Sequence, residues 1–252
     1  MDLDQIRQRL DHERKYLAGD GYAVEVLPRL TRTAVGSFRT VAWSGLDEAD
    51  ADEIIAGELA HHRAMDAPFE WKFYSHDTPA DLLSRLQAHG LIAGAIEAVM
   101  VFDLSKGLPP CAADACRIAR IQRPEQIEEY RRVSDDVFGD DCSFICGELA
   151  AALTHGSNQH IGYIAYAGDE PAAIGRLYTH PLSFFGGLYG GATRSAYRHR
   201  GFYRALLAAR AADAIALGSR YLMIDALPTS RPILERLGFE RLTDTIPCST
   251  PH

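Results

Sequence analysis

The 252-residue chain has no apolar run approaching the roughly 20 residues of a membrane-spanning helix. Its opening stretch, "MDLDQIRQRLDHERKYL", lacks the apolar segment of a secretion signal, so a cytoplasmic location is expected. Positive charge is scarce: 26 Lys and Arg against 34 Asp and Glu give a formal charge of −8. That balance argues against a nucleic-acid binder, which needs a basic surface, and mildly favours cationic or neutral small substrates. The five cysteines (Cys111, Cys116, Cys142, Cys146, Cys248) contain no Cys-x-x-Cys pair, which leaves buried free thiols as the reading. Cys142 and Cys146 share a helical face, but His155 is the only further ligand nearby, so no metal is expected. "SHD" at 75–77 has the letters of a hydrolase triad without a Gly-x-Ser-x-Gly elbow. His61 and His62, with Glu58, read as an exposed helical face rather than a metal site.

What is present is an ordinary globular composition, 47% hydrophobic and 24% charged, ample for a buried core. Hydrophobic patterning predicts a helix over 4–17, strands over 22–27 and 33–43, and a helix over 47–65. "FEWKFY" (69–74) alternates as a strand. In "TPADLLSRLQAHG" (78–90), Thr78 is the expected N-cap, Pro79 the first helical residue and Gly90 the stop. A strand over 97–104 closes this half, and "SKGLPPCAADAC" (105–116) is the expected linker between domains 1–105 and 116–252. Beyond it come a strand (117–121), helices (124–139 and 144–155), a hairpin (161–180) and a strand (185–194). A long helix, a strand (221–227), a short helix (230–238) and a terminal strand or two complete the order.

A weak internal repeat runs through this order. "FEWKFYSHDTPADLLSRLQAHGL" and "YLMIDALPTSRPILERLGF" share a strand, a polar loop with proline, and a helix carrying Leu-x-Arg-Leu. Each follows a longer helix. Two halves of similar design account for this better than chance does.

The stretch "YRHRGFYRALLAARAADAIALG" (197–218) poses a chemical question. Arginines and a histidine crowd the start of an Ala/Leu-rich helix, the end that its dipole makes partially positive. First-turn amides have no intrahelical acceptor and Gly201 permits close approach, so the loop suits a pyrophosphate, with Arg198 and Arg200 adding charge-assisted contacts. The preceding strand contains Gly187, Gly190 and Gly191, poor strand composition unless a backbone or ligand comes close.

"RHRGFYRALL" resembles the acyl-CoA signature of the GNAT superfamily of N-acyltransferases, Gln/Arg-x-x-Gly-x-Gly/Ala at a strand-to-helix turn. Arg198 and Gly201 match its first and fourth positions, while Tyr203 stands where the family has Gly or Ala, crowding the pocket unless its ring turns outward. The element order over 116–250, ending "LERLGF", is similar to the whole GNAT core. The resemblance implies an α/β fold with a mixed, mostly antiparallel sheet flanked by helices, as two tandem GNAT-like halves. The N-terminal half resembles a degenerate copy, its acidic "SGLDEAD" unsuited to a pyrophosphate, so a single acyl-CoA site is expected in the C-terminal half.

Carried onto this chain, the resemblance places pantetheine along Gly191, Ala192 and Thr193, and pyrophosphate on the amides of His199, Arg200, Gly201, Phe202, Tyr203 and Arg204. The thioester would lie between Tyr189–Ala192 and Ile224–Ala226, with the Ala192 amide as an oxyanion donor. The implied reaction moves an acetyl or other short acyl group from CoA to an amine of a small molecule, without a metal, a membrane or nucleic acid. The tyrosine that the family often uses as an acid is replaced by Leu234, and the frequent asparagine by Leu227. Ser230 is the N-cap of its helix rather than a catalyst. Candidates for proton transfer are then Asp225, in an apolar strand, and Tyr189; His180 is a loop residue. A non-catalytic acyl-CoA sensor, or a scaffold without CoA, would share much of this pattern. No feature marks an oligomeric interface or names the acceptor.

Overall fold

A computed structural model describes residues 2–17, 22–36, 38–65, 68–109 and 116–251. Helix α1 (Leu3–Tyr16) opens the chain, capped by Asp2, whose carboxylate accepts from the Asp4 and Gln5 amides. Strands β1 (Ala23–Val26), β2 (Leu30–Val35) and β3 (Phe38–Ser44) form a meander. The strand expected over 33–43 is thus two strands, because the chain reverses at Gly36, whose φ is +55°. Helix α2 (Ala51–Ala64) leads to β4 (Phe69–Tyr74) and the short α3 (Leu82–Ala88). Thr78 does not cap α3: its hydroxyl donates to the Leu46 carbonyl and Asp81 is the cap residue, so the helix starts later than proline placement implies.

β5 (Ile92–Ala93) and β6 (Glu97–Asp103) follow, then β7 (Arg117–Arg120), α4 (Pro124–Phe138) and α5 (Ser143–His155). β8 (His160–Ala167) and β9 (Glu170–Tyr178) make the expected hairpin, and β10 (Phe185–Thr193) runs antiparallel to β9. Helix α6 (Phe202–Ala216), β11 (Tyr221–Ala226), α7 (Arg231–Arg236) and β12 (Glu240–Ser249) complete the chain. The expected linker falls partly on 110–115, outside the described residues, as does Cys111.

The chain packs as two compact units that interleave in sequence. One comprises residues 1–100, 225–235 and 240–252; the other 101–224 and 236–239. The sequence pattern suggested consecutive halves. The C-terminal strand goes to the first unit because β12 pairs antiparallel with β4, Thr245 opposite Tyr74 through Ser249 opposite Glu70. Strands of the first unit run β1-β2-β3-β4-β12, with β5 also on β12; those of the second run β7-β8-β9-β10-β11. Most ladders are antiparallel; β3–β4 and β10–β11 are parallel.

In the first unit, alternate β4 residues Phe69, Trp71 and Phe73 bury against Ile55 and Leu59 of α2 and Leu82 and Leu86 of α3. In the second, α4 and α5 cover one sheet face through Ile127, Tyr130, Val133, Cys146 and Leu149, meeting Ile164, Ile174 and Ala192. The small-residue face of α6 (Ala205, Ala211, Ala214) is buried and packs on β8, β9 and β10. No helix among the described residues is long and apolar enough to cross a membrane.

Candidate functional site

The repeat in the sequence has a geometric counterpart in each unit. In the first, β3 and β4 pair in parallel at three positions, from Arg39 opposite Phe69 to Val41 opposite Trp71. In the second, β10 and β11 do the same, from Phe185 opposite Tyr221 to Gly187 opposite Met223. Both parallel ladders then stop. β10 continues to Thr193 paired only with β9, so the other edge of its second half, with Gly191, Ala192 and Thr193, carries no ladder to β11.

A bulge interrupts β10 between Tyr189 and Ala192, and Gly190 there has φ +57°. A Cβ at Gly190 would lie 3.1 Å from the Tyr130 hydroxyl and 3.5 Å from Arg176 Nε. These two groups, from α4 and β9, therefore converge on the bulge. Tyr130 is 1% exposed and its hydroxyl makes no hydrogen bond among the described residues. Burial pushes its pKa up to about 12, so it keeps its proton at neutral pH. Arg176 Nε is buried without a partner, while its Nη1 lies 3.3 Å from Glu148 Oε2 of α5. His160 Nδ1 lies 3.7 Å from the same carboxylate oxygen. Tyr189 sits opposite Arg176 in the β9–β10 register, half exposed, with its ring folded over Gly187.

After β10, Arg194 is tied to Asp136 and to the Pro171 carbonyl. A single 3-10 turn (Ser195–Tyr197) leads to Arg198, whose Nε donates to the Thr193 carbonyl. His199 and Gly201 both take left-handed backbone angles, φ +62° and +87°, and Gly201 is the N-cap of α6. Glycine has no side chain to cap with, so the first-turn amides of α6 are left without a side-chain acceptor. Arg198, Arg200 and Arg204 have no carboxylate partner among the described residues; Arg200 stacks loosely on Tyr197 and Phe202. Phe202 is buried. The Tyr203 ring turns inward, reaching 3.4 Å from where a Gly191 Cβ would sit, and so fills the gap between helix and strand. Behind it Arg210 is 1% exposed, its Nε and Nη1 donating to the Leu206 and Arg176 carbonyls while Nη2 has no partner.

The first unit treats its equivalent strand edge differently. Past Val41, the Ala42 carbonyl accepts from Arg14 Nε at 3.0 Å, and Arg14 also bonds Asp11 and Asp77. An arginine from α1 thus occupies that edge. Asp11, His76 and Asp77 are the one grouping with metal-ligand spacing among the described residues, and Arg14 already bonds both carboxylates. The turn before α2 is acidic, with Asp47 and Asp50 drawn to Arg29.

Asp225 does not stand in an apolar setting: Lys72 Nζ donates to its Oδ2 at 2.5 Å within the first unit, and its Oδ1 is buried without a partner. His62 is not on an exposed face. It is 3% exposed, stacked on Phe69 with centroids 4.1 Å apart, and burial lowers its pKa to about 4. Glu58 beside it is taken up by Arg32. Leu234, in the position of the family's tyrosine, is fully buried. Tyr130, Arg176 and Glu148 escaped the sequence reading, because helix periodicity marks Tyr130 as core and nothing in the order of residues brings β9 to the bulge.

No family model matches the chain, and neither does any curated protein. Solved structures do. A GCN5-related N-acetyltransferase from Kribbella flavida superposes with a TM-score of 0.72 at 14% identity, covering 99% of this chain and 94% of that one. Another GCN5-related N-acetyltransferase, from Sphaerobacter thermophilus, gives 0.63 at 13% identity over 95% and 83%. A tandem GNAT protein from the clavulanic acid biosynthesis pathway gives 0.57 at 12% identity over 96% and 87%. The chain has the fold of the GCN5-related N-acetyltransferases, as two GNAT-like halves in tandem.

Proposed function

We propose that the protein is a cytoplasmic, acyl-CoA-dependent N-acyltransferase that moves an acetyl or other short acyl group to an amine of a small molecule. One observation carries the reading. The N-terminus of α6 is capped by Gly201 without a side chain, and Arg198, Arg200 and Arg204 surround it with no carboxylate to neutralise them. Three cations at the positive end of a helix are unfavourable without an anion. The residues fit the pyrophosphate of CoA in that the amides of His199 to Arg204 donate and the arginines add charge; the inward Tyr203 ring, beside Gly191, is the one feature that crowds the pocket. The free edge of Gly191, Ala192 and Thr193 suits pantetheine, which pairs as a strand does. In the first unit Arg14 and the acidic turn before α2 oppose a second such site.

When bound, acyl-CoA supplies the activated thioester; the chain supplies position and proton control. The Tyr130 hydroxyl, protonated and aimed at the β10 bulge, donates a hydrogen bond where negative charge develops. Arg176 beside it is held by Glu148 through Nη1 and turns its unpartnered Nε toward the bulge. The acceptor amine must be neutral to attack, and its proton leaves to a nearby carboxylate or to water. Asp225 and Tyr189 are proposed for that proton handling, Asp225 with its charge held by Lys72. The second reading, an acyl-CoA-binding module without turnover, draws on Leu234, which cannot act as an acid.

Calorimetric titration of acetyl-CoA into the wild type and a Gly201→Glu variant tests the site, followed by a panel of amines for turnover. Binding lost in the variant, with turnover on some amine, supports an enzyme; binding without turnover supports the module. A folded wild type that does not bind acetyl-CoA defeats both.

A further inference from the structure

Two of the letters of "SHD" at 75–77 belong to a hydroxyl–imidazole–carboxylate chain in the first unit, but Asp77 is not its acid. Asp77 is taken up by Arg14 and the Tyr74 amide. The acid is Asp11 of α1: His76 Nε2 lies 2.9 Å from its Oδ1 and 3.1 Å from its Oδ2. Across the ring, His76 Nδ1 lies 2.8 Å from Thr243 Oγ1, which in turn lies 3.0 Å from Ser75 Oγ. The pairing of β12 with β4 makes this meeting. One step past the Tyr74–Thr245 pair, the Ser75 amide donates to the Asp244 carbonyl, and Thr243 follows beside it.

One charge sets the direction of every proton in the chain. Arg14 Nη1 donates to Asp11 Oδ1 at 2.8 Å. Burial opposes the Asp11 charge, and the bonds from His76 and Arg14 outweigh it, holding the carboxyl below the usual range. An ionised carboxylate only accepts, so a neutral His76 carries its proton on Nε2 and leaves Nδ1 as an acceptor. Thr243 then donates to Nδ1, and its oxygen accepts from the Ser75 hydroxyl. Ser75 heads the chain and is exposed, while Thr243 is buried and His76 half-buried. The Asp244 amide donates to Ser75 Oγ at 3.3 Å, and the Tyr74 ring meets the imidazole edge-on. Both contacts hold the chain in register. A hydroxyl linked to an imidazole, whose far nitrogen is held by a carboxylate, is the arrangement that makes an alcohol nucleophilic.

We propose that Ser75 is the nucleophile of a second activity, hydrolysis of small carboxylic esters with a phenol as leaving group, with Thr243, His76 and Asp11 as its proton relay. Ser75 Oγ bonds to the ester carbonyl carbon while its proton passes to Thr243 and the Thr243 proton passes to His76 Nδ1. Asp11 holds the imidazolium. The carbon–oxygen bond to the phenol then breaks, leaving acyl-Ser75 and a phenolate, and His76 gives its proton to solvent. Water adds to the acyl carbon, its proton returns along the relay to Ser75 Oγ, and the carboxylic acid leaves. A phenolate departs without a proton, which suits a relay whose one imidazole lies on the nucleophile's side. The reaction uses neither CoA nor an amine, so this activity and acyl transfer can each fail alone.

The test treats the full chain, without CoA, with 4-nitrophenyl acetate and separately with a fluorophosphonate probe, and locates the adduct by peptide mass spectrometry. The same is done for Ser75→Ala, His76→Gln, Thr243→Val, Thr243→Ser and the exposed control Ser143→Ala. A burst of nitrophenol and an adduct on Ser75 are expected, both lost in Ser75→Ala. The labelling rate is expected to fall about 10²-fold in His76→Gln and in Thr243→Val. Thr243→Ser, which keeps the relaying hydroxyl, and Ser143→Ala are expected to label as the wild type does. Circular dichroism establishes that each variant folds, and His76→Gln decides the matter if Thr243→Val does not fold. No adduct on Ser75 in the wild type, or an undiminished rate in folded His76→Gln or Thr243→Val, overturns the proposal.

Discussion

Arg14 and Asp77 form a buried, two-pronged ion pair, Nη1 to Oδ1 at 2.9 Å and Nη2 to Oδ2 at 3.0 Å. Burial opposes the guanidinium charge, and Asp77 more than offsets it, so the pKa rises. Asp77 Oδ2 also accepts from the Tyr74 amide, and Arg14 spans from Asp11 to the Ala42 carbonyl. This one residue from α1 occupies the β3 edge at Ala42, whereas the corresponding edge of β10 in the other unit carries no ladder.

Breaking that pair on one side leaves a buried charge uncompensated. Asp77→Asn is expected to lower stability by about 3–5 kcal/mol, measured by urea unfolding. Replacing both residues, Arg14→Met with Asp77→Leu, is expected to cost less than Asp77→Asn alone. A loss below 1 kcal/mol for Asp77→Asn would show that Arg14 finds other partners, Asp11 first among them.

Tyr130 offers a sharper test of the catalytic reading. Its hydroxyl is held at the bulge by α4, and Tyr130→Phe removes that one oxygen from an otherwise apolar cluster. The variant is expected to fold normally and bind acetyl-CoA as the wild type does. Its kcat is expected to fall by about 10²-fold, the scale of a lost donor in the transition state. An unchanged kcat in steady-state assays with an active amine would leave Tyr130 a core residue only.

Local chemistry was readable where it depended on neighbours in the chain. The bounds of β4, the left-handed Gly201 and the uncapped start of α6 follow from short patterns and glycine placement. What escaped depends on long-range pairing. Asp225 reads as an isolated acid until Lys72, 153 positions away, is beside it. His62 reads as exposed by its polar neighbours on α2, yet Phe69 closes over it. Tyr203 departs from the signature, and only packing shows that its ring seats against Gly191. Likewise, the strand expected to end the second half serves the first, because β12 pairs with β4.

His62 makes the first unit sensitive to acid in a way its sequence does not announce. Buried against Phe69, its ring nitrogens making no hydrogen bond, it is neutral in the folded protein down to a pH of about 4, because burial outweighs Glu58 Oε2 at 3.7 Å from Nε2. An unfolded chain takes up that proton near pH 6.5. Between those values the unfolded state binds more protons, so stability present above about pH 6.5 is lost as the pH falls to about 4. The loss amounts to roughly 3 kcal/mol. His62→Phe, which keeps the stacked ring without a titrating nitrogen, is expected to flatten the stability profile across that window. His61→Phe on the exposed side of the helix is expected to leave it unchanged. The comparison is made by urea unfolding at a series of pH values, and parallel profiles for wild type and His62→Phe would mean that the ring accepts its proton without opening the core.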